Sequence, residues 1–144
     1  MNIVSARGLT KDYNSLRAVE SLDFDIARGE CFGFLGPNGA GKTTVMRIIY
    51  CFLPPTSGAV RVFDMDVVER PSQIKARIGV MPQDDNLDPD LNVIENLVVY
   101  ARYFDIPKES ALHAAGELLE FVGLTGKARA PIRSLSGGMK RGLL

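Results

Sequence analysis

The sequence predicts an α/β domain whose first part is rich in strands and whose second part is helical. Two observations carry this prediction. Residues 31–35 form a short apolar run that predicts a fully buried strand, and a glycine-rich loop over residues 36–44 leads from it into a helix that begins near Val45. Past residue 84, capping signals and a helical apolar period replace the strand patterns. We therefore expect a β-rich part over residues 1–83 and helices beyond it.

Three strands are predicted before the glycine-rich loop. Residues 1–10 alternate weakly between apolar and polar types, which suggests an edge strand. Residues 18–26 carry apolar side chains at every second position and predict a half-buried strand: Leu22, Phe24 and Ile26. Residues 31–35 then supply the central, buried strand.

The segment between the loop helix and residue 84 is expected to return to strands. Residues 53–58 contain two prolines and a glycine and predict a break. A strand should begin at Val60, and residues 71–76 predict a short helix. Residues 78–81 read as a second buried strand.

Two helices are predicted in the second part. Asn92 and Glu95 have the spacing of a capping box, so a helix should follow to about Phe104. Pro107 suits the first turn of the next helix, which Gly123 should end. One apolar stripe runs along that second helix: Ala111, Ala115, Leu118, Leu119 and Val122. His113 falls off the stripe and is expected at the surface.

The glycine-rich loop fits the pattern G-x-x-x-x-G-K-S/T in the strand–loop–helix setting that this pattern requires. Glycines allow successive backbone N–H groups to surround a phosphate, and the helix that follows adds further donors. Lys42 supplies a positive charge for the outer phosphates, and the Thr43 hydroxyl can bind Mg²⁺. The sequence therefore predicts a nucleotide-phosphate site formed by Gly36, Pro37, Asn38, Gly39, Ala40, Gly41, Lys42, Thr43 and Thr44.

Composition limits the remaining classes of function. The chain has 144 residues, a formal net charge of zero and no dense basic run, so nucleic acid is poorly supported as a partner. No apolar run approaches the ~20 residues that span a bilayer, and residues 1–11 lack the pattern of a signal peptide. Cys31 and Cys51 lie in apolar settings and are expected to be buried free thiols in a reducing compartment.

A second anion-binding pattern lies near the last residues. Ser136 followed by Gly137 and Gly138 offers a hydroxyl and exposed N–H groups at the start of a helix. Together with the glycine-rich loop, the run from Leu135 to Met139 resembles the signature motif of the nucleotide-binding subunits of ABC transporters. Tyr13, Gln83 and the helical segment between Gln83 and Ser136 fit the same family in order and spacing.

The resemblance implies an α/β P-loop NTPase of the ABC ATPase type, with an N-terminal antiparallel β part and a helical subdomain. The chain would be one partial domain: residues 1–83 bind nucleotide, residues 84–134 form the helical subdomain, and residues 135–144 carry the signature motif. ATP and Mg²⁺ are the implied cofactors.

The resemblance also implies a role for individual residues. Tyr13 would stack on adenine, Lys42 would contact the β- and γ-phosphates, and Thr43 would bind Mg²⁺. Gln83 would complete the surroundings of Mg²⁺ and the attacking water. The catalytic set is therefore Lys42, Gln83 and Ser136, where Ser136, Gly137 and Gly138 close over ATP held by a second subunit.

Within the family, three short runs look most like ATPases of bacterial ABC-2 exporters of the nodulation-factor and daunorubicin type: residues 86–88, 95–97 and 138–141. This implies a subunit at the cytoplasmic face of the cell membrane, with a separate ABC-2 permease and a second ATP-binding subunit, in a homodimer, as partners. Alternatives are a soluble ABC-type ATPase acting on nucleic acid or ribosomes, and an unrelated P-loop kinase or GTPase.

The family pattern is incomplete in this sequence. A complete member continues past the signature helix into an apolar strand ending in Asp-Glu and, later, a switch histidine. These residues would secure Mg²⁺ and polarise the attacking water, and the strand would cover the strand of residues 31–35. We therefore expect the 144 residues to be a C-terminally truncated fragment that binds ATP but hydrolyses it slowly or not at all.

Overall fold

The chain divides into two compact units, Met1–Val80 and Met81–Leu144. The computed structural model describes residues 1–81 and 86–144. Gln83, predicted from the family resemblance to act in catalysis, lies outside the described residues. Among the residues that the structure describes, no helix is long and apolar enough to cross a membrane.

The first unit is built on a four-stranded antiparallel sheet. Its strands are β1 (Asn2–Tyr13), β2 (Leu16–Ala27), β3 (Ser57–Val62) and β4 (Met65–Asp66), in the order β2-β1-β3-β4. The expectation of an edge strand over residues 1–10 is wrong, because β1 pairs on both sides. The side chains of Ala6 and Leu9 are completely buried, so this strand lies in the middle of the sheet.

Two helices pack with this sheet, α1 (Lys42–Ile49) and α2 (Pro71–Lys75). Val45 and Ile48 of α1 and Ile74 of α2 are buried, which is what helical spacing of apolar residues produces. Pro71 occupies the start of α2, where its missing N–H would have no helical partner. The core also contains Val4, Ala6, Leu9, Val19, Val60, Val62 and Val67.

The two runs expected to be buried strands do not form strands in the described residues. In the run over residues 31–35, Phe34 is half-buried whereas Cys31 and the other residues are exposed, so the expectation of a buried Cys31 thiol is also wrong. In the run over residues 78–81, Ile78 is half-buried and the rest are exposed. A buried strand needs hydrogen-bonded neighbours, and the four-strand order includes neither run.

Aromatic packing holds residues 31–35 against the first hairpin. The ring of Phe24 on β2 lies 5.9 Å from that of Phe32 and 5.2 Å from that of Phe34, between centroids. Phe32 and Phe34 are themselves 5.1 Å apart. All three distances fall within the range of favourable aromatic pairs, so side chains position this segment.

The second unit contains α3 (Val93–Arg102), α4 (Lys108–Phe121) and α5 (Gly137–Arg141), with short 3-10 helices at Thr125–Lys127 and Ile132–Ser134. The predicted capping box is confirmed. The Asn92 side chain accepts from the Glu95 N–H at 3.0 Å, and the Glu95 carboxylate accepts from the Asn92 N–H at 2.8 Å. The buried core consists of Leu87, Val93, Leu119, Leu124, Ile132, Leu135 and Leu143.

The helix α4 begins and ends close to its predicted limits. Pro107 lies at the N-cap, one residue before the helix, rather than in the first turn. At the other end, the N–H of Gly123 donates to Glu120 O at 3.0 Å and that of Leu124 donates to Leu119 O at 2.7 Å. These two bonds form a Schellman motif, which requires the left-handed φ of 70° that Gly123 adopts. Of the predicted stripe, Leu118 is 37% exposed.

Candidate nucleotide-binding site

The glycine-rich loop is shaped by two glycines with left-handed backbone conformations. Gly39 has a φ of 86°, and the N–H of Ala40 donates back to Pro37 O at 3.3 Å. Gly41 has a φ of 80°, and a Cβ there would overlap the Ala18 carbonyl oxygen of β2. The loop therefore lies directly against the first hairpin at a point where only glycine fits.

The helix that follows presents uncapped backbone donors to this loop. Gly41 is the N-cap of α1 and provides no side-chain acceptor, and the first turn contains no acidic residue. The first N–H bonded back along the helix is that of Val45, which donates to Gly41 O at 2.9 Å. The preceding N–H groups of the first turn and the positive end of the helix dipole together favour an anion.

Lys42 folds back over the same loop. Its Nζ donates to the carbonyl oxygen of Gly36 at 2.7 Å and to that of Pro37 at 2.6 Å. An ammonium group has three donors, so these two contacts leave one N–H for a further acceptor. The loop thereby fixes a positive charge beside the uncapped end of α1.

The threonines of the loop differ in exposure. Thr43 is exposed in the first turn of α1, whereas Thr44 is half-buried. Within residues 1–81 and 86–144, no three acidic, histidine or cysteine side chains form a metal-binding cluster. One hydroxyl suits Mg²⁺, which usually keeps several waters and takes few protein ligands beside phosphate oxygens. The residues present therefore fit a magnesium ion carried in with a nucleotide.

Tyr13 lies at the end of β1, where it pairs with Leu16 across the hairpin turn. Its side chain is 38% exposed, and Lys11 Nζ lies 5.5 Å from the ring centroid. Lys11 also donates to Pro54 O at 2.8 Å, which ties this end of the hairpin to the segment after α1. Tyr13 and Ala18 belong to the same β1–β2 hairpin, so Tyr13 is carried by the hairpin against which Gly41 packs.

The residues of the signature motif, Ser136, Gly137 and Gly138, lie in the second unit at the start of α5. Ser136 is the N-cap of α5, and its Oγ accepts from the Met139 N–H at 3.3 Å. Gly137 and Gly138 are exposed, and a Cβ on either would meet nothing within 4 Å. The loop over residues 36–44 belongs to the first unit and Ser136 to the second.

Sequence reasoning missed the role of two residues of α3. Asn96 is 1% exposed; its Oδ1 accepts from the Asp88 N–H at 2.7 Å, and its Nδ2 donates to Asp88 O and Asn92 O, each at 3.0 Å. Burial raises the pKa of Tyr100, whose hydroxyl donates to Asn86 O at 2.7 Å. Together they fix the segment that follows residue 85. A polar residue on the apolar face of α3 was the available signal.

Comparisons with known proteins agree on one family. The family model described as ABC transporter matches residues 19–144. The chain is 45% identical over 141 residues to the Nod factor export ATP-binding protein I of Ralstonia nicotianae, covering 98% of this chain and 44% of that protein. The corresponding protein of Bradyrhizobium diazoefficiens is 44% identical over 136 residues, with 94% and 44% covered. The chain thus spans less than half the length of these curated relatives.

Solved structures agree in fold. A dimeric ATP-binding cassette in a post-hydrolysis state, bound to ADP and Pi, has a TM-score of 0.83 and 27% identity, with 97% of this chain and 66% of that chain covered. An ATP-binding subunit of an ABC transporter has a TM-score of 0.84 at 23% identity, with 98% and 59% covered. The α/β class and the P-loop type predicted from sequence are thereby confirmed. The chain belongs to the ABC transporter family, among its ATP-binding proteins.

Proposed function

We propose that this chain binds MgATP as part of the ATP-binding subunit of an exporter. The observation that carries the proposal is the loop over residues 36–44, in which Gly41 packs on Ala18 O and Lys42 lies beside the uncapped start of α1. The similarity to Nod factor export ATP-binding proteins supports the export class. We retain the proposed division into residues 1–83, 84–134 and 135–144.

The residues of the loop would divide the work on the triphosphate. Backbone N–H groups at the start of α1 would bind phosphate oxygens, and Lys42 would exchange a loop carbonyl for the β- and γ-phosphates. Thr43 would hold Mg²⁺, which would neutralise charge on those phosphates. Tyr13 would stack on adenine, and Gln83 would orient the attacking water.

Hydrolysis is proposed to need a second ATP-binding subunit. Ser136 caps α5 with its Oγ, and the two exposed residues that follow it, Gly137 and Gly138, are in the first turn of that helix. This surface would close over the triphosphate that a second subunit holds, and the similar structure with ADP and Pi is itself dimeric. Stabilising charge would then be completed only when two subunits meet.

The partner in the membrane is proposed to be an ABC-2 type permease, with the ATP-binding subunits at the cytoplasmic face of a bacterial membrane. The similarity to bacterial Nod factor export proteins supports this assignment. Co-expression with a candidate permease tests it. Recovery of the chain with membrane vesicles only when the permease is present is expected, and equal recovery without any permease would contradict it.

Equilibrium binding of a fluorescent ATP analogue to the 144-residue chain tests the nucleotide site. Lys42→Ala should weaken binding about tenfold or more, because a charge-assisted contact contributes about 1.5–3 kcal/mol. Lys42→Arg is the matched control that keeps the charge. Ser136→Ala should leave binding by a single chain unchanged, because its proposed ligand is held by another subunit.

Two outcomes would overturn these assignments. Equal affinities of the wild type and Lys42→Ala would remove the loop from the nucleotide site. A loss of affinity in Ser136→Ala at protein concentrations where sedimentation shows only monomer would place Ser136 on its own chain's nucleotide.

A further inference from the structure

A cavity of about 240 Å³ opens in the first unit, at the end of the sheet where β1 begins and β2 and β3 end. Its lining is formed by Met1, Asn2, Ile3, Arg28, Phe63 and Arg77. The glycine-rich loop adjoins the opposite end of β2, where Gly41 approaches Ala18. Ala18 is the third residue of the twelve-residue strand β2, whereas Arg28 directly follows its last residue, so the two residues lie at opposite ends of this strand. The cavity is therefore separate from the proposed nucleotide site.

The floor of this cavity is built on an unusual turn. Phe63 and Asp64 join β3 to β4 as a two-residue turn, with φ values of 54° and 61°. Such turns favour Asn, Asp or Gly, and a bulky aromatic residue with positive φ is strained. The N–H of Phe63 donates to Ile3 O at 2.8 Å, which places the turn against β1. Strain of this kind is often retained at functional sites.

The ring of Phe63 supports one of two arginines at the cavity. The guanidinium carbon of Arg77 lies 4.1 Å from the ring centroid, a close cation–π contact. Arg28 follows β2, and its N–H donates to Met1 O at 3.3 Å. The guanidinium of Arg77 is thus stacked on an aromatic ring, and Arg28 is a second arginine on the lining of the same small cavity.

Neither of these arginines is neutralised by a carboxylate in the part of the chain that the structure describes. The ion pairs there involve Arg7, Arg17, His113 and Arg133. Among residues 1–81 and 86–144, no acidic residue lines the cavity, although the chain as a whole carries equal numbers of acidic and basic side chains. Two arginines on a lining that also contains Ile3 and Phe63 therefore make the cavity complementary to an anion with an apolar body.

We propose that this cavity binds a small organic carboxylate. The planar guanidinium matches a carboxylate in two-pronged hydrogen bonding, so Arg28 and Arg77 would hold the head group. Ile3 and the ring of Phe63 would contact the apolar body. A dry cavity of about 150 Å³ accepts one benzene ring, so the space here suits a single ring with its carboxylate.

Benzoate is the probe, titrated into the isotope-labelled 144-residue chain and followed by amide shifts in two-dimensional NMR. We expect saturation with a dissociation constant on the order of 1 mM and shifts centred on Ile3, Arg28 and Phe63. Benzamide, which has the ring without the charge, should bind at least about tenfold more weakly. Saturating MgATP should leave the benzoate titration unchanged, because the proposed nucleotide site is at the other end of β2.

Charge-neutral variants test the two arginines. Arg28→Gln and Arg77→Gln should each weaken benzoate binding about tenfold, whereas Arg61→Gln, an equal change of charge outside the cavity lining, should not. Phe63→Asn keeps a residue suited to the turn and should also weaken binding, which separates loss of the ring from loss of the fold.

The proposal is overturned by any of three results. These are the absence of saturable shifts up to about 20 mM benzoate, equal affinity of the Arg28→Gln, Arg77→Gln and Arg61→Gln variants, or competition by MgATP. Tighter binding of phenyl phosphate than of benzoate would overturn the assignment of the head group as a carboxylate.

Discussion

Replacing Gly41 by alanine tests whether the loop depends on the close approach of its backbone to the first hairpin. Gly41 has a φ of 80° and a ψ of 0° at the N-cap of α1. An alanine Cβ would overlap the carbonyl oxygen of Ala18 and lie 3.1 Å from Val19 Cγ2. The Ala18 oxygen is part of the sheet backbone, so it cannot rotate away as a flexible side chain could.

Gly39→Ala is the matched control for this substitution. Gly39 has a φ of 86°, close to that of Gly41, but a Cβ there would meet nothing within 4 Å. Both substitutions place alanine in the left-handed region, at about 1–2 kcal/mol each. Only Gly41→Ala also forces packed backbone apart, and overpacking typically adds about 1–3 kcal/mol. We therefore expect losses of about 1–2 kcal/mol for Gly39→Ala and about 2–5 kcal/mol for Gly41→Ala.

Urea unfolding followed by far-ultraviolet circular dichroism measures both losses as changes in the free energy of unfolding. Hydrogen exchange of α1 and β2 amides then shows whether the first unit, rather than the second, is destabilised. Equal destabilisation by the two substitutions, within about 0.5 kcal/mol, would refute the role of the contact with Ala18.

Three further predictions concern stability. Asn96→Ala should cost about 1–3 kcal/mol, because the Asp88 N–H loses its buried acceptor; amide exchange across residues 88–96 should accelerate, and an unchanged rate would contradict this. Asn92→Ala should lower the free energy of unfolding by about 1 kcal/mol through loss of the helix cap, while Asn92→Ser should recover most of it in the same urea titration. Arg7 lowers the pKa of Asp25, first through a hydrogen bond and then through its charge. This pair therefore stabilises the fold at pH values above the unfolded-state pKa of Asp25. The stabilisation is lost as the pH falls through the lower folded-state pKa. Asp25→Asn should therefore be less stable than the wild type at neutral pH and equal to it at pH values below both pKa values; a constant difference across the pH range would disprove this.

The helix limits could be predicted because their signals are local. The capping box needs only Asn92 and Glu95, three residues apart, and both of its hydrogen bonds form. Likewise, Gly123 ends α4 because its own backbone adopts the left-handed conformation that most residues disfavour. Neither outcome depends on residues distant in the sequence.

The prediction of buried strands over residues 31–35 and 78–81 was wrong because it used the apolar runs alone. An apolar run indicates a tendency to be buried, but a strand also needs neighbours whose backbone groups pair with it. In the part of the chain that the structure describes, the sheet consists of β1, β2, β3 and β4 and includes neither run. The same limit applies to β1. Its weak alternation suggested an edge strand, but its pairing with both β2 and β3 depends on residues distant in the sequence.

Parts of the candidate site that depend on neighbouring residues could be predicted, and parts that depend on residues distant in the sequence could not. The sequence pattern identified the loop residues, and the structure places Lys42 beside the uncapped start of α1. The contact of Gly41 with Ala18 O could not be predicted, because it joins the loop to a strand 23 residues earlier in the sequence. The assigned roles of Tyr13 and Ser136 remain predictions.

The three phenyl rings of Phe24, Phe32 and Phe34 pack against one another although Phe32 and Phe34 lie outside the sheet. Ordered side chains and backbone pairing in a sheet usually occur together, but here only the first is present. Within the described residues, the segment over residues 31–35 has fixed side chains but belongs to no hydrogen-bonded ladder. Its ring protons should therefore show well-dispersed chemical shifts while its amide protons exchange quickly with solvent. The glycine-rich loop would thus be preceded by a segment whose side chains are held by packing but whose backbone N–H groups remain free to exchange with solvent.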